Sequence, residues 1–343
     1  MNTPGFKWDI IGHQQIIHFL QRSISNNKIA HAYLFSGAES VGKARVAEYF
    51  SASLLCRGRE LIPCKKCIFC QQVFKKIHPD LIWIKKEKDK KNISIEQIRN
   101  LRKKLTRHSF LNSYKIAIIE QAEILTKEAY NALLKTLEEP TKKTIIILIT
   151  TNFKNLPATI ISRCQLIKFL FVNKQEIYNY FLKELDLSAK KAKISASKAE
   201  ILACLCQGKP GKGIKFIEDE KLFKEYEIKA KSLFDIIKKN RLKDKFDYLD
   251  KIIEPKMNFL QSRENFQNLL SIWSLILRDC LLIKSSNSKF IVNDFMEQEL
   301  NELAEDYSLT KIKEFLQKII QTKSYLYYNI NPRLAVENLI LNL

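Results

Sequence analysis

Residues 34–44 combine an apolar segment, two glycines and a lysine, and they constrain the fold more than any other stretch. The spacing Gly37-x-x-x-x-Gly42-Lys43 matches the phosphate-binding loop, in which glycines let the backbone turn sharply and bring N–H groups against an anion. Such a loop joins a buried strand to a helix, whose N-terminus adds a positive dipole end. The stretch therefore predicts an α/β domain built around a nucleotide-type pocket.

The residue after this lysine is Ala44, where the motif normally has Ser or Thr. That hydroxyl is a ligand of the magnesium ion that accompanies a bound nucleotide, and an alanine methyl group cannot replace it. Binding of ATP with Mg²⁺ by this chain is therefore in doubt. Nucleotide binding without hydrolysis stays open, because Lys43 and the backbone N–H groups of the loop remain.

A second part of such a site is the acidic end of a neighbouring strand, here Lys115–Ile119 followed by Glu120-Gln121-Ala122-Glu123. Hydrolysis needs one group there for the metal and one that orients the attacking water. We expect Glu120 to belong to the degenerate nucleotide site, whereas Gln121 is an amide where a carboxylate base should be. Glu123 is expected to turn away. Together with Ala44, these residues predict that the chain does not hydrolyse ATP.

Apolar strands alternate with amphipathic helices up to about residue 170, an order typical of a parallel sheet covered by helices on both faces. Beyond residue 171 only helical segments are predicted, interrupted at Gly208–Gly213. We therefore expect an α/β domain over 1–170, a small helical domain over 171–235 and a second helical domain over 236–343. The predicted strands are Ala32–Ser36, Leu81–Ile84, Lys115–Ile119, Thr144–Ile149 and Gln165–Leu170.

The formal net charge of +21 is unevenly distributed along the 343 residues. Residues 1–165 hold 28 Lys and Arg against 13 Asp and Glu, whereas the rest holds 30 against 24. This asymmetry fits either an acidic partner such as nucleic acid or a bias that solvates the surface. The longest aliphatic run, Ile145–Ile149, is too short for a membrane, and residues 1–12 lack a signal-peptide core, so we expect a cytoplasmic protein.

Four cysteines between residues 56 and 70 have the spacing of a metal site. Cys64-x-x-Cys67-x-x-Cys70, with Cys56 eight residues upstream, can converge tetrahedrally on one zinc ion. Iron–sulfur ligation uses similar spacing but usually comes with a redox context, which this sequence does not offer. We expect a structural zinc ion, because four thiolates close the coordination shell.

Arg163, in Ser162-Arg163-Cys164, is predicted to follow a short helix at the exposed end of the sheet. An arginine there could reach across a subunit boundary and stabilise the charge that develops on a neighbour's γ-phosphate. An ordinary surface ion pair is the simpler explanation of the same residue. The residues alone leave both interpretations open.

In combination these segments resemble the AAA+ clamp-loader subunits of bacterial DNA polymerase III. The resemblance is strong over residues 10–170 and weak beyond them. It is carried by the glycine loop, the four cysteines, His31–Phe35, His78–Asp80, Asn131–Pro140, Thr159–Cys164, Gly208–Gly211 and Asn331–Leu334. Within the family the delta-prime type is the most similar, because the defects at Ala44 and Gln121 agree with it.

The resemblance implies an AAA+ domain with an inserted zinc module, a helical lid and an all-α collar that joins a ring of subunits. It also implies that neighbouring gamma/tau subunits hydrolyse ATP and that Arg163 is an arginine finger acting on them. The implied partners are gamma/tau and delta subunits, the sliding clamp and primer–template DNA. An active gamma/tau-type ATPase and a zinc-dependent DNA-binding protein that acts alone stay open as alternatives.

Overall fold

The computed structural model describes residues 5–58, 60–87, 90–106, 109, 114–141, 143–187, 196–239, 241–252, 259–326, 328 and 330–341. Within them, strands and helices alternate first and helices alone follow. The strands are β1 (Gly5–Phe6), β2 (Ala32–Ser36), β3 (Leu61–Ile62), β4 (Leu81–Ile84), β5 (Lys115–Ile119), β6 (Thr144–Thr150) and β7 (Gln165–Lys168).

The helices of the first half frame the sheet, and those of the second half pack on one another. They are α1 (Gln14–Ser25), α2 (Lys43–Leu55), α3 (Ile68–Phe74), α4 (Ile95–Thr106), α5 (Lys127–Glu138), α6 (Ala158–Ile161), α7 (Lys174–Leu187), α8 (Ala196–Cys206), α9 (Pro210–Glu218), α10 (Glu220–Lys238), α11 (Leu242–Ile252), α12 (Phe259–Lys284), α13 (Glu297–Asp306), α14 (Leu309–Tyr325) and α15 (Pro332–Leu341). The last helix was predicted to reach Leu343, which lies outside the described residues.

Five strands form a parallel sheet in the order β4-β5-β6-β2-β7, which confirms the predicted α/β fold. Side chains of β2 alternate between two buried cores, with Leu34 on one face and Tyr33 and Phe35 on the other. Because the strands are parallel, their carboxyl ends meet at one edge of the sheet. The segments that follow β2, β5 and β6 therefore converge there.

The predicted boundaries hold best where a strand is apolar throughout. Strands β2, β4 and β5 have the predicted limits, while β7 ends two residues earlier than expected, at Lys168. The predicted break at Gly208–Gly213 is shorter than expected: residues 207–209 separate α8 from α9, and α9 already begins at Pro210. Proline suits the first position of a helix, where no N–H is needed.

The chain forms two compact units, the first made of residues 1–184 and 207–211 and the second of 185–206 and 212–343. The sheet and its helices belong to the first unit. All regular elements among the described residues of the second unit are helices. The proposed separation of a lid from a collar near residue 235 stays a prediction.

Helix α12 lies at the centre of the second unit, where it packs against α10, α13, α14 and α15. Its Asp279 side chain is fully buried, and Oδ2 accepts hydrogen bonds from the Val292 N–H (3.1 Å), the Asn293 N–H (2.9 Å) and Asn293 Nδ2 (2.7 Å). The Tyr226 hydroxyl of α10 donates to Asn293 Oδ1 at 2.6 Å. This buried network ties α10 and α12 to the segment before α13.

Part of α12 has the length and apolar character of a membrane span. Among the described helices, Gln261–Lys284 alone passes that test, and half of it is buried within the second unit. The stretch also contains the buried carboxylate of Asp279 and the fully buried Trp273. These features fit the core helix of a folded unit.

Candidate functional site

The glycine loop joins β2 to α2 at the carboxyl edge of the sheet. Gly42 has a φ of 112°, which favours glycine, and a Cβ atom on Gly37 would lie 2.4 Å from the carbonyl oxygen of Phe169. The first N–H groups of α2 have no carbonyl partner within the helix, so they face the loop as donors for an anion. The backbone therefore keeps the form of a phosphate cradle.

Lys43 is held inside this loop. Its side chain is buried, and Nζ donates to the carbonyl oxygens of Gly37 (2.5 Å) and Ala38 (2.6 Å). Burial lowers the pKa of Lys43, while the carboxylates of Glu123 and Glu39 oppose that shift. The cation is thus fixed at the cradle, where a phosphate could meet it.

Ala44, the next residue, packs its methyl group against the apolar core on the α2 side of the sheet. The structure therefore offers no hydroxyl oxygen at the position where this motif normally holds magnesium.

Glu120 follows β5, and its carboxylate is engaged at the end of the neighbouring edge strand. It accepts a hydrogen bond from Trp83 Nε1 at 2.8 Å and pairs with Lys85 Nζ at 3.0 Å. Gln121 adopts a left-handed conformation with a φ of 52° and an exposed side chain. The residue in the place of the catalytic base is thus an exposed amide that cannot accept a proton.

Glu123 is one of the two carboxylates, with Glu39, whose charge opposes the lowering of the Lys43 pKa. Its Oε1 accepts from the N–H (3.0 Å) and the hydroxyl (2.6 Å) of Thr151, just beyond β6, and β6 is the neighbour of β2. Burial raises the pKa of Glu123, but these hydrogen bonds outweigh it, and the net pKa is lowered. Oε2 is buried and has no hydrogen-bond partner among the described residues. The expectation that Glu123 turns away is therefore wrong.

Two further residues contact the carbonyl side of the loop. The Gly211 N–H, in the first turn of α9, donates to the Ser40 carbonyl at 2.9 Å. His13 Nε2 donates to the Val41 carbonyl at 2.8 Å, and burial lowers the pKa of His13, which favours its neutral form. Gly211 thus packs directly on the phosphate loop.

The four predicted zinc ligands come together at the end of α2 and the start of α3. The sulfur atoms of Cys56, Cys64, Cys67 and Cys70 lie within 4.8 Å of one another, and those of Cys64 and Cys70 are 3.9 Å apart. Four sulfurs at about 2.3 Å from a tetrahedral zinc ion would be separated by about 3.8 Å. The residues therefore fit a structural Zn²⁺ with a closed Cys₄ shell.

Backbone donors favour the thiolate forms that a metal requires. The N–H groups of Gly58, Cys67 and Cys70 lie 3.2, 3.3 and 3.4 Å from the sulfurs of Cys56, Cys64 and Cys67, respectively. Burial raises the pKa values of Cys56 and Cys70. At Cys64 burial is outweighed by hydrogen bonds from the N–H groups of Cys67 and Lys66 and with the Cys67 and Cys56 side chains, which lower the pKa to about 6. Such N–H···S bonds stabilise negative sulfur.

Arg163 follows α6, as predicted, and its side chain is partly exposed. Nη1 donates to the Thr159 carbonyl at 2.9 Å, and Nη2 pairs with Glu138 Oε1 at 2.8 Å. Both partners are near in space, since α5 and α6 pack together. The structure thus contains the ion pair of the simpler interpretation while 37% of the Arg163 side chain remains exposed.

Two family models match the chain. That of the DNA polymerase III delta subunit covers residues 12–173, and that of the C-terminal part of the same subunit covers residues 251–343. The gamma subunit of DNA polymerase III from Buchnera aphidicola is 28% identical over 97% of this chain and 93% of its own length. The delta-prime subunit from Bacillus subtilis is 26% identical, over 96% and 95%, respectively.

The chain belongs to the clamp-loader subunit family of DNA polymerase III. Among solved structures, a gamma-subunit-related protein from Thermotoga maritima is 17% identical and covers 96% of this chain and 97% of its own, with a TM-score of 0.48. The parallel α/β core and the helical C-terminal region described above match the order of domain types that the sequence predicts.

In this clamp-loader subunit the predicted site residues fall into four groups. Gly37, Gly42, Lys43 and Ala44 form the loop, Glu120 lies with Trp83 and Lys85, the four cysteines form a cluster, and Arg163 lies with Glu138. The sequence interpretation mispredicted Glu123 and missed the roles of His13 and Glu138, because the partners of all three lie far away along the chain. The sequence signals that could have pointed to these roles were the acidic residue Glu123 after β5 and the acidic pair Glu138-Glu139.

Proposed function

We propose that this chain is a delta-prime-type subunit of the clamp loader, which helps to load the sliding clamp onto primed DNA without hydrolysing ATP itself. In this proposal the neighbouring gamma/tau subunits hydrolyse ATP, and Arg163 reaches one of their sites. The observation that carries the proposal is a nucleotide-type site in which Ala44 stands at the position of the metal-binding hydroxyl of the loop and Gln121, after β5, at that of the catalytic base.

Hydrolysis requires a metal that bridges the phosphates and a group that orients the attacking water. Ala44 presents a methyl group and Gln121 an amide, while Glu120 is bound by Trp83 and Lys85. Glu123 is close to the loop, but its Oε1 is held by Thr151. The loop and Lys43 can still hold a phosphate. The chain lacks, however, the groups that usually support hydrolysis of the phosphate bond.

Arg163 has the properties that a trans-acting finger needs. Its guanidinium carries a permanent positive charge, and a guanidinium donates two parallel hydrogen bonds to phosphate oxygens. Partial exposure at the end of α6 supports access to a neighbouring subunit. An arginine offered in trans neutralises charge that develops in the transition state of phosphoryl transfer.

The remaining roles follow from the same proposal. Residues 171–235 act as the lid and residues 236–343 as the collar that joins a cytoplasmic ring with gamma/tau and delta subunits. The sliding clamp and primer–template DNA are the partners of the assembled ring. The basic residues of the first half of this chain would attract the DNA. Zinc held by Cys56, Cys64, Cys67 and Cys70 supplies structural stability to the module between α2 and β4.

An active gamma/tau-type ATPase is the second candidate. It is favoured by the intact cradle with a buried Lys43 and by the similarity to a gamma subunit over nearly the whole chain. In that case Glu123, with its unpartnered Oε2, would have to take over part of the acidic role near the loop. ATP hydrolysis by the purified chain that depends on Lys43 would favour this candidate.

The test of the delta-prime assignment is Arg163→Ala in a loader reconstituted with gamma/tau- and delta-type subunits. We expect clamp- and DNA-stimulated ATP turnover to fall about tenfold or more, since an arginine finger contributes roughly 10³–10⁵ in rate at the site it serves. Arg22→Ala, which removes an arginine from α1, is the control and should leave turnover unchanged. Normal turnover with Arg163→Ala would exclude the finger.

A further inference from the structure

Glu138 is the last residue of α5, and it contacts the guanidinium of Arg163, which lies 25 positions later in the chain. The pair joins Glu138 Oε1 to Nη2 at 2.8 Å, and the Thr159 carbonyl accepts from Nη1 at 2.9 Å. Both anchors belong to the first unit. The guanidinium is therefore fixed by two acceptors, one on each terminal nitrogen.

Two fixed points define the orientation of a planar group. A guanidinium has five N–H donors, and these two contacts use one donor on each terminal nitrogen. One hydrogen on each terminal nitrogen and the Nε hydrogen are left for a further acceptor. With 37% of the side chain exposed, these donors can meet a phosphate that arrives from outside the chain.

The adjacent acid, Glu139, lies outside this contact. Helix α5 ends at Glu138, and Glu139 has left the helical conformation, with φ −122° and ψ 72°. Among the described residues, no hydrogen bond or ion pair is recorded for the Glu139 carboxylate, which is exposed. The chain thus carries two neighbouring carboxylates, and one of them holds Arg163.

The Glu138–Arg163 pair is too exposed to compete with a phosphate. Exposed ion pairs are weak, whereas charge-assisted bidentate bonds between arginine and phosphate are among the strong ones. An unanchored arginine would also lose more rotamer freedom when it binds. Glu138 can therefore orient the guanidinium beforehand without preventing its contact with a phosphate.

We propose that Glu138 is a positioning residue that holds Arg163 in the orientation in which it reaches the neighbouring subunit's nucleotide. The inference rests on the proposed role of Arg163 and adds a residue on which the rate should depend. Glu138 acts through Arg163 alone, so its effect must vanish when Arg163 is absent.

The experiment measures kcat and KM for ATP in the reconstituted loader with clamp and primed DNA. The variants are Glu138→Gln, the matched control Glu139→Gln, Arg163→Ala, and Glu138→Gln combined with Arg163→Ala. We expect Glu138→Gln to lower kcat about threefold or more with KM unchanged, and to add nothing once Arg163 is Ala. Glu139→Gln should match the wild type, and both glutamine variants should melt at the same temperature.

Each contrary outcome identifies what has failed. If Arg163→Ala lowers turnover while Glu138→Gln behaves like Glu139→Gln, the positioning role is wrong and the finger stands. A Glu138→Gln effect that persists in the Arg163→Ala background also overturns the inference, because Glu138 would then act by another route. If Arg163→Ala itself has no effect, the proposed function fails and this inference fails with it.

Discussion

Asp279→Ala is the substitution whose cost follows most directly from the structure. The carboxylate is fully buried, and Oδ2 accepts three hydrogen bonds, from the Val292 N–H, the Asn293 N–H and Asn293 Nδ2. Alanine removes the acceptor and leaves these donors without a partner at a site that water does not reach. A buried donor without a partner costs about 1–3 kcal/mol.

Three such donors, with partial relaxation of the segment before α13, give a loss of about 3–5 kcal/mol in the free energy of unfolding of the second unit. Asp279→Asn is the matched variant, because its amide oxygen can take the place of Oδ2. Its amide N–H group would face Arg278, which is partly exposed and free to reorient. We expect this variant to lose about 1–2 kcal/mol.

Urea unfolding followed by tryptophan fluorescence measures these losses. The chain has three tryptophans, and Trp273 is the one in α12, so Trp8→Phe with Trp83→Phe leaves a reporter inside the second unit alone. The midpoint should fall strongly for Asp279→Ala and slightly for Asp279→Asn, with similar m-values. A loss below about 1 kcal/mol for the alanine variant would refute the reasoning, because it would mean that the donors find other partners.

Two further predictions concern the metal and the loop. Metal analysis of the purified protein should find about one zinc ion per chain. Cys67→Ser should lose this zinc ion, whereas Cys164→Ser should keep it because Cys164 is not part of the cluster. An unchanged zinc content in Cys67→Ser would contradict the site. Because the pKa of Glu123 lies below its ordinary value of 4.5, Glu123 stabilises the folded chain at neutral pH, and this contribution is lost as the pH falls through the lowered pKa. The difference in urea midpoint between wild type and Glu123→Gln should therefore shrink at acidic pH. A difference that stays constant from neutral to acidic pH would contradict the stabilising role of the ionised Glu123 carboxylate.

The first half of the fold could be predicted from local pattern alone. Strand β2 and the glycine loop carry strong local signals, namely an apolar run and glycines at fixed spacing, and the loop motif in turn predicts the helix α2 that follows it. The cysteine spacing likewise predicted a cluster that the structure forms. Such signals depend on neighbours in the sequence, so a single sequence is sufficient to read them.

What the sequence could not predict depends on which strands become neighbours. Glu123 reaches Thr151 because β5 lies beside β6, and this pairing has no local signature. The Glu138–Arg163 contact depends in the same way on α5 packing against α6. Helix α9 was missed for a different reason, since the glycines around Pro210 were read as a break although proline begins the helix.

The rate of ATP hydrolysis by the purified chain, compared with that of its Lys43→Ala variant, tests most directly whether the site at this phosphate loop is unable to hydrolyse ATP. With a methyl group at Ala44 and an amide at Gln121, we expect both proteins to show the same background rate, with or without clamp and primed DNA. Steady turnover by the chain alone that disappears in Lys43→Ala would contradict the assignment as a subunit that does not hydrolyse ATP.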